Sequence, residues 1–363
     1  MQGLQYFVLS WLLLSFLASA IEEDYTYFIS TVAGSASASQ SEDGIPALSA
    51  YLRRPTCITL DASGNQFIVD SSGERIRRVD AITGIITTVA GSTSGGSLLD
   101  NIPAVTAKLD SPYGLVLDAQ GNLYFSEELG QRIRKVNAIS GIITTIAGNG
   151  GNGYTGDGLL ATEATLSYPK GLTLDKIGNL FIADTINDVI RRVDAVTGII
   201  TTYAGTGSRR FYGENVPAIE AKFNHPTGVT IDLSGDLIIS DWGNHCIRKV
   251  TASTGIITTI AGVCDKDGYS GDGGLATVAL MSYPFESAFD ALGNMYIVDS
   301  SNYRIRMVSA TTKSIMTVAG SGSYSSFENG IPALTSGMDP VSVAPDKNGN
   351  STLPTLVTIS SAL

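Results

Sequence analysis

A unit of about 57 residues recurs along this chain, and it limits the possible folds more than any other feature of the sequence. Each unit contains a turn of the form Asp-x-x-Gly-Asn or Asp-x-x-Gly-Asp, with the glycines at Gly64, Gly121, Gly178, Gly235 and Gly293. These glycines are separated by 57, 57, 57 and 58 residues, and Asp346–Asn350 is an imperfect sixth copy. Five whole units therefore occupy 52–108, 109–165, 166–222, 223–280 and 281–337.

Each unit contains four short runs that are typical of β-strands. In the second unit they are Gly114–Asp118, Leu123–Ser126, Arg132–Val136 and Gly141–Gly148. Four antiparallel strands repeated around a ring form a β-propeller, which removes the exposed sheet edges of a linear array. We therefore predict an all-β, six-bladed β-propeller of four-stranded antiparallel blades. The ring closes where the N-terminal strand pairs with the C-terminal partial blade.

The predicted closing blade combines 338–363 with 21–51, and the two segments together match the length of one unit. It contains an inner-strand signal at Val341–Ala344 and a second signal at Thr355–Ile359, but no counterpart of Arg-Ile-Arg-Lys-Val. We therefore expect this blade to be short of a third strand and the ring to be held more weakly there. A truncated gene product is the alternative.

The first twenty residues have the pattern of a secretory signal peptide. Phe7–Leu17 is apolar, and Ala18–Ala20 matches an A-x-A cleavage site. The apolar run is shorter than the roughly 20 residues that span a bilayer, although no Lys or Arg precedes it, so an uncleaved anchor is the alternative. We predict a signal peptide at 1–20 and a secreted, extracellular propeller at 21–363 with no membrane insertion after cleavage.

The charge composition excludes one class of partner. The 363 residues include 23 Lys and Arg against 34 Asp and Glu, which gives a net charge of −11. Nucleic-acid-binding proteins need a basic stripe, so we predict no nucleic-acid partner. Intrinsic disorder is also excluded, because 43% of the residues are hydrophobic.

The repeat resembles the NHL repeat. The resemblance rests on Pro-x-Gly followed by alternating apolar residues, the Asp-x-x-Gly-Asn turn and the Arg-Ile-Arg-basic-Val strand. The longer loops with Gly156-Asp157-Gly158 and Gly271-Asp272-Gly273 are similar to those of NHL propellers in bacterial secreted proteins and in teneurin ectodomains. The resemblance covers essentially all of 21–363 and implies the propeller fold, but it is poorly specific for activity because propellers carry many functions.

An acidic residue ends the second strand of every unit, and an arginine follows seven residues later. The acids are Asp70, Glu127, Asp184, Asp241 and Asp299, and the arginines are Arg77, Arg134, Arg191, Arg248 and Arg306. Because the two positions lie across a tight hairpin, we predict an ion pair with turn capping inside each blade. The alternative is a ring of acids that binds cations or basic ligands.

A second acidic position lies in the long loops between blades. It is occupied by Asp43, Asp100, Asp157, Glu214 and Asp272, with Asn329 in the sixth place. A short acid before a Pro-Ala or Leu-Ala step is typical of a helix N-cap, so we predict one helical turn capped by each acid. Calcium ligation by the Gly-Asp-Gly loops is the alternative, with one carboxylate per loop against the six to eight oxygens that calcium needs.

The fourth unit departs most from the repeat, and we expect function where the pattern breaks. Its ligand-binding candidates are His225, Trp242 and His245. The alternatives are a metal site, for which a third ligand is lacking, and an ordinary loop. Cys246 and Cys264 flank two antiparallel strands, so we predict a disulfide between them in a secreted chain, which leaves Cys57 as a buried thiol.

The inner strands line the central channel of a propeller. Gly114, Gly171 and Gly228 are predicted to keep this lining open, and Cys57 and Glu286 occupy the same position in the first and fifth units. Glu286 is the charged residue of this position and is a further ligand-binding candidate, with a solvated channel wall as the alternative. Asn350 begins the single glycosylation sequon, Asn-Ser-Thr, on the turn of the closing blade.

No catalytic constellation is evident in the sequence, which has two histidines and no Gly-x-Ser-x-Gly motif. We predict a non-enzymatic scaffold that binds a protein or a small extracellular ligand, without a cofactor or a metal ion. The resemblance also implies an alternative, a metal-dependent lyase or lactonase-like hydrolase that uses the central channel.

Overall fold

The computed structural model describes residues 30–34, 42–92, 99–324, 329–345 and 356–360. The predicted signal peptide and the glycosylation candidate Asn350 lie outside these residues. Within the described ranges, no helix is long and apolar enough to cross a membrane.

Five antiparallel sheets of four or five strands follow one another along the chain, and each corresponds to one sequence unit. The first two sheets contain β1 (Ile45–Pro46), β2 (Pro55–Leu60), β3 (Gln66–Asp70), β4 (Arg75–Val79), β5 (Ile85–Ala90), β6 (Ile102–Pro103), β7 (Pro112–Leu117), β8 (Leu123–Glu127), β9 (Arg132–Val136) and β10 (Ile142–Ala147). The third and fourth contain β11 (Pro169–Leu174), β12 (Leu180–Asp184), β13 (Val189–Val193), β14 (Ile200–Ala204), β15 (Val216–Pro217), β16 (Pro226–Ile231), β17 (Leu237–Asp241), β18 (Cys246–Val250) and β19 (Ile256–Ala261). The fifth contains β20 (Pro284–Phe289), β21 (Met295–Asp299), β22 (Arg304–Val308) and β23 (Ile315–Ala319), and a two-stranded sheet follows with β24 (Pro340–Pro345) and β25 (Leu356–Ser360).

Short 3-10 helices connect these strands. One set precedes the inner strands, at Ala47–Ser49, Ala104–Thr106, Ala161–Glu163, Ala218–Glu220, Ala276–Val278 and Ala333–Thr335. The other set follows the second strands, at Ser71–Gly73, Thr185–Asn187, Trp242–Asn244 and Ser300–Asn302. Each long loop therefore ends in one 3-10 turn, and the next inner strand of the propeller begins after it.

The hydrophobic cores lie between neighbouring blades, because both faces of each sheet are apolar and each blade packs against two others. Val69 of blade one and Phe125 of blade two, for example, share one buried cluster. The sixth sheet continues this pattern: Val341 packs with the blade-one residue Ile58, and Val343 packs with Tyr296 of blade five. The two-stranded sheet therefore fills the sixth position of a closed ring.

The prediction of an all-β propeller is confirmed, but the prediction of six four-stranded blades is wrong. Among the described residues there are five blades of four or five strands, and the sixth position holds the two strands β24 and β25. The C-terminal unit carries no Arg-Ile-Arg segment to form a third strand, which accounts for the missing hairpin.

The predicted ion pair inside each blade is confirmed for blades two to five. In blade two the guanidinium of Arg134 lies 3.2 Å from the carboxylate of Glu127, and both side chains are fully buried. The corresponding distances are 3.4 Å in blade three, 3.9 Å in blade four and 3.3 Å in blade five. In blade one Asp70 instead pairs with Arg75 at 3.1 Å.

These acids cannot form the alternative cation-binding ring, because they have no exposed surface and are already bonded. Glu127, for example, also accepts the backbone N–H of Asp110 at 3.1 Å. In the same way, the backbone N–H of Ser167 donates to the Asp184 carboxylate at 2.6 Å. The backbone N–H of Ser282 donates to the Asp299 carboxylate at 2.7 Å. Each acid thus fixes the incoming loop onto its own blade, as predicted for turn capping.

The loop acids are not helix caps, so this prediction is wrong. The helical turns form where predicted, but no side chain caps them. Asp100 instead binds Arg134 at 3.0 Å and the Thr145 hydroxyl at 3.0 Å, both in blade two, where β6 follows Asp100 as the outermost strand. A buried guanidinium holds these carboxylates more strongly than two exposed backbone N–H groups would.

The sixth blade lacks this arginine, and its acid is replaced by Asn329. The side-chain oxygen of Asn329 accepts hydrogen bonds from the backbone N–H of Thr31 at 2.6 Å and from the Thr31 hydroxyl at 3.1 Å. Thr31 stands 57 residues before Thr88, which binds the loop acid Asp43 in blade one. The N-terminal segment therefore occupies the outer-strand position of the sixth blade. The full strand pairing predicted for ring closure lies largely outside the described residues.

We expect Asp100→Asn to lower the free energy of unfolding by about 1 kcal/mol, because it removes one charge-assisted partner of a buried arginine, discounted for the partial exposure of Asp100. Asn329→Asp is the matched control, since no arginine faces this position among the described residues, and it should leave stability nearly unchanged. Urea unfolding of both variants checks this. Equal effects at the two sites would contradict the assigned network.

Candidate functional site

One face of the propeller carries both the loops that enter the inner strands and the turns that follow the second strands. In an antiparallel blade these connections lie at the same end, while the Asp-x-x-Gly turns lie at the other. His225 precedes β16 and Trp242–His245 follows β17, so this face of blade four brings together three of the four predicted binding candidates, and Glu286 lies elsewhere, in β20.

Four aromatic rings form a continuous row at this face. The His225 ring meets the Trp242 indole nearly at right angles, with centroids 6.2 Å apart. Trp242 packs on Tyr283 at 4.4 Å, and Tyr283 packs on His245 at 4.4 Å. All four side chains are half-buried, so each keeps a surface toward solvent. We call His225, Trp242, Tyr283 and His245 the aromatic row.

Hydrogen bonds hold the row in place from both sides. The backbone N–H of His225 donates to Asp188 at 2.8 Å, and the backbone N–H of Tyr283 donates to Nδ1 of His245 at 3.1 Å. Both bonds cross from one blade to the next, so the row lies on blades four and five and is also tied to blade three through Asp188. Bonds between neighbouring blades of the propeller therefore fix the geometry of the aromatic row, which does not depend on a single loop.

Tyr283 belongs to the row but was not among the sequence-predicted candidates. It precedes the proline of the inner strand, at the position that His225 occupies in blade four, and its φ of 52° equals that of His225. This shared position is the signal that could have found it. The left-handed backbone itself recurs at Arg54, Ser111 and Tyr168, so it reflects the fold and not a special site.

The two histidines are uncharged near neutral pH. Partial burial lowers the pKa of both His225 and His245, and Arg209 lowers the pKa of His225 further. The carboxylates of Asp265 and Asp267 act in the opposite direction on His245. The row is thus a neutral ring surface with an acidic margin at its His245 end.

Cys246 and Cys264 form a disulfide in the structure, with an S–S distance of 2.07 Å. Cys246 directly follows His245, and Cys264 lies just beyond β19. The backbone N–H of the neighbouring Asp265 donates to the carbonyl of Asn244 at 2.9 Å. The covalent bond and this hydrogen bond together fasten the His245 turn to the loop that leaves the blade.

Glu286 lies apart from the row, inside the central channel. It borders a cavity of about 20 Å³, together with Cys57, Tyr113 and Phe285 and with glycines of blades two to four. Ser342 and the backbone of Val343 hydrogen-bond the carboxylate, but removal from bulk water raises its pKa to about 7. Burial and the Glu286 charge also raise the pKa of the Cys57 thiol well above its ordinary value, so Cys57 stays protonated.

The channel glycines do not keep the lining open, which corrects the sequence prediction. A β-carbon at Gly114 would lie 2.3 Å from the carbonyl oxygen of Lys170, and one at Gly171 would lie 2.5 Å from that of Thr227. Neighbouring inner strands approach so closely here that no side chain fits between them. These glycines therefore close the ring tightly, and the channel is narrow.

We expect the free energy of unfolding to fall between pH 5 and 8, partly through Glu286. A folded-state pKa raised to about 7 means that the native protein binds this proton more tightly than the unfolded chain does. The resulting stabilisation is present below the ordinary glutamate pKa and is lost as the pH rises through 7.

Glu286→Gln should reduce the decrease of the unfolding free energy with rising pH. Urea unfolding at pH 5, 6, 7 and 8 measures this decrease. Burial raises the pKa of Asp184 to about 6 and of Asp241 to about 7, so these acids contribute in the same direction in both proteins. The informative quantity is therefore the difference between wild type and variant. Parallel profiles would show that Glu286 does not titrate in this range.

A metal centre and a surface groove are the other kinds of site that the fold could carry. Among the residues that the structure describes, no group of three or more His, Cys, Asp or Glu side chains is arranged to hold a metal ion. A wide groove of about 860 Å³ lies between blades two and three at the opposite face, with Asp118, Asp175 and Asp194 in its wall. None of the sequence-predicted site residues lines this groove.

Comparisons with known proteins agree with the repeat and the fold. Residues 150–212 match the family model of the teneurin NHL domain, and 223–250 match the NHL repeat. Teneurin-1 of Mus musculus is 30% identical over 235 residues, which is 58% of this chain but 8% of teneurin-1. The Arabidopsis thaliana protein SUPPRESSOR OF QUENCHING 1, chloroplastic, is 26% identical over 71% of this chain and 25% of its own length.

Solved structures show the same architecture. A Bacteroides thetaiotaomicron protein of unknown function matches with a TM-score of 0.63 and 20% identity, covering 88% of this chain and 71% of its own. An auxiliary nutrient binding protein from Bacteroides ovatus matches with a TM-score of 0.61 and 15% identity, covering 88% and 72%. The chain is thus a β-propeller with segments that match the teneurin NHL domain and the NHL repeat, and it spans 8% of the length of teneurin-1.

Proposed function

We propose that this propeller is a secreted, non-enzymatic scaffold that binds a partner protein through the aromatic row. The observation that carries the proposal is the row itself: three half-exposed rings in the blade that departs most from the repeat, completed by Tyr283 from blade five. Trp and Tyr are enriched at protein interfaces because they combine a large apolar surface with a polar edge. In the other four blades, Trp242 is replaced by Ser71, Glu128, Thr185 and Ser300.

The margin of the row favours a particular partner surface. Asp265 and Asp267 lie close enough to influence His245, and the chain as a whole carries a net charge of −11. A partner with an apolar centre and a basic margin complements both features.

Secretion is supported by the apolar N-terminal segment and by the disulfide, because disulfides persist in oxidising compartments. One relative is named as chloroplastic, so relationship alone does not select the compartment. Expression of the full chain with a C-terminal tag tests this proposal: the tag should accumulate in the culture medium, with 1–20 removed.

The binding proposal is tested by affinity capture from the extracellular medium of the producing organism. We expect Trp242→Ala to reduce the retained partner about tenfold or more, as for a central aromatic contact residue. Leu129→Ala is the matched control, because Leu129 is an exposed apolar residue on the same face of blade two. If wild type and Trp242→Ala retain the same proteins equally, the row is not the binding surface.

A further inference from the structure

The inner-strand position that lines the channel is divided into two unlike halves. Blades two to four contribute Gly114, Gly171 and Gly228, which pack directly against neighbouring backbone. The remaining three places hold Cys57, Glu286 and Ser342. The side chains of this position therefore lie on one side of a narrow channel, and the other side is formed by the backbone of the glycines.

The Glu286 carboxylate has no counter-ion among the described residues. Its partners are the Ser342 side chain and the backbone of Val343, and none of the ion pairs in the described part of the chain includes it. At the mouth of the cavity, Arg54 acts electrostatically on Tyr113 and the Lys170 ammonium pairs with Glu128 at 3.4 Å, and neither cation forms an ion pair with Glu286 in the described part of the chain. A half-buried carboxylate in a narrow channel, with an adjoining cavity and no cation, is an incomplete ion pair.

Lys170 sits at the mouth of this cavity in a cation-binding arrangement. Its ammonium lies 4.8 Å from the centroid of the Tyr113 ring and 5.8 Å from that of Phe285. The two rings are 6.0 Å apart and both border the cavity that leads to Glu286. Two aromatic faces and the Glu128 carboxylate make this mouth favourable for an ammonium group, and the protein's own lysine occupies it.

We propose that the channel binds a slender primary ammonium group, which displaces Lys170 from the Tyr113–Phe285 mouth and pairs with Glu286. The ligand class is an unbranched alkylamine or the free side chain of a lysine. A cavity of about 20 Å³ admits a group of the size of one water molecule, so an ammonium fits while a bulkier head group does not. This site is independent of the aromatic row and remains testable if the row binds nothing.

The test is calorimetric titration with n-pentylammonium chloride, with n-pentanol as the neutral ligand of the same length. We expect Lys170→Met to bind n-pentylammonium at least tenfold more tightly than wild type, because the competing internal ammonium is gone. Glu286→Gln in the Lys170→Met background should abolish that gain. Pentanol should not bind measurably to either protein.

Glu286→Gln retains a side chain that can accept the Ser342 and Val343 bonds, and circular dichroism with thermal melting verifies that each variant is folded. Glu220→Gln is the matched control, because it removes an exposed carboxylate that does not line the cavity, and it should leave the Lys170→Met gain in place. The proposal is overturned if Lys170→Met does not strengthen binding, if the double variant keeps the gain, or if pentanol binds as well as the amine.

Discussion

Replacing Arg134 with methionine should lower the free energy of unfolding by about 3–5 kcal/mol, the range for breaking a buried ion pair. The guanidinium is fully buried and lies 3.2 Å from Glu127 and 3.0 Å from Asp100. Its loss leaves the Glu127 carboxylate in the same dry environment without a cation, whereas Asp100 still reaches solvent. Urea unfolding monitored by tryptophan fluorescence and circular dichroism measures the change.

Two further variants separate the cost of the unpaired charge from the cost of lost packing. The double variant Arg134→Met/Glu127→Leu should recover most of the stability, because it removes both charges. Nε of Arg134 has no hydrogen-bond partner among the described residues, so the native network is itself incompletely satisfied. Arg78→Met, in a pair that is 30% exposed on both sides, should change stability far less. A double variant as unstable as the single one would contradict this account.

The five complete blades were predictable because their determinants are local and repeated. Each hairpin is specified within about ten residues by a turn glycine and by alternating apolar residues, and the repeat multiplies that signal fivefold. The ion pair between the second and third strands was predictable for the same reason, since Glu127 and Arg134 face each other across one short turn. At the sixth position the two strands β24 and β25 and the lack of a third were also predictable from the C-terminal unit, whereas the count of six four-stranded blades was wrong because the rest of that position depends on the N-terminal segment.

The loop acids show why longer-range contacts were misassigned. Asp100 is close in sequence to a helical turn, so capping was the natural local interpretation. Its actual partner, Arg134, lies 34 residues away, in β9 of blade two. The sequence does contain a signal for this pairing, since the acid is replaced by Asn329 just before the one unit that has no arginine. That signal is visible only when the loop-acid position and the arginine position are compared with each other across all the units.

The candidate site was predicted in its members but not in its arrangement. His225, Trp242 and His245 stand out because they interrupt a repeat, but nothing local shows that Tyr283 completes their row from the next blade. The channel glycines were misinterpreted for a related reason. A glycine in a strand is compatible with an open lining or with close backbone contact, and the carbonyl of Lys170 decides between them.

The second large effect is expected from the Cys246–Cys264 disulfide, which closes a loop of 18 residues. Replacing both cysteines with alanine should lower the free energy of unfolding by about 3 kcal/mol, because a cross-link of this span restricts the unfolded chain by roughly that amount. Cys57→Ala is the matched control: it removes a buried thiol without breaking a cross-link. Dithiothreitol should destabilise wild type and Cys57→Ala equally and leave the double variant unchanged.

The same experiment tests the coupling between the disulfide and the aromatic row. The bond joins the residue after His245 to the loop of Asp265 and Asp267, so its loss should expose that loop to limited proteolysis before global unfolding. The purified protein should contain one free thiol per chain, since three cysteines are present and two are joined. Three free thiols, or a dithiothreitol-insensitive unfolding midpoint, would show that the cross-link does not stabilise blade four, and the case for an oxidising compartment would then rest on the N-terminal segment alone.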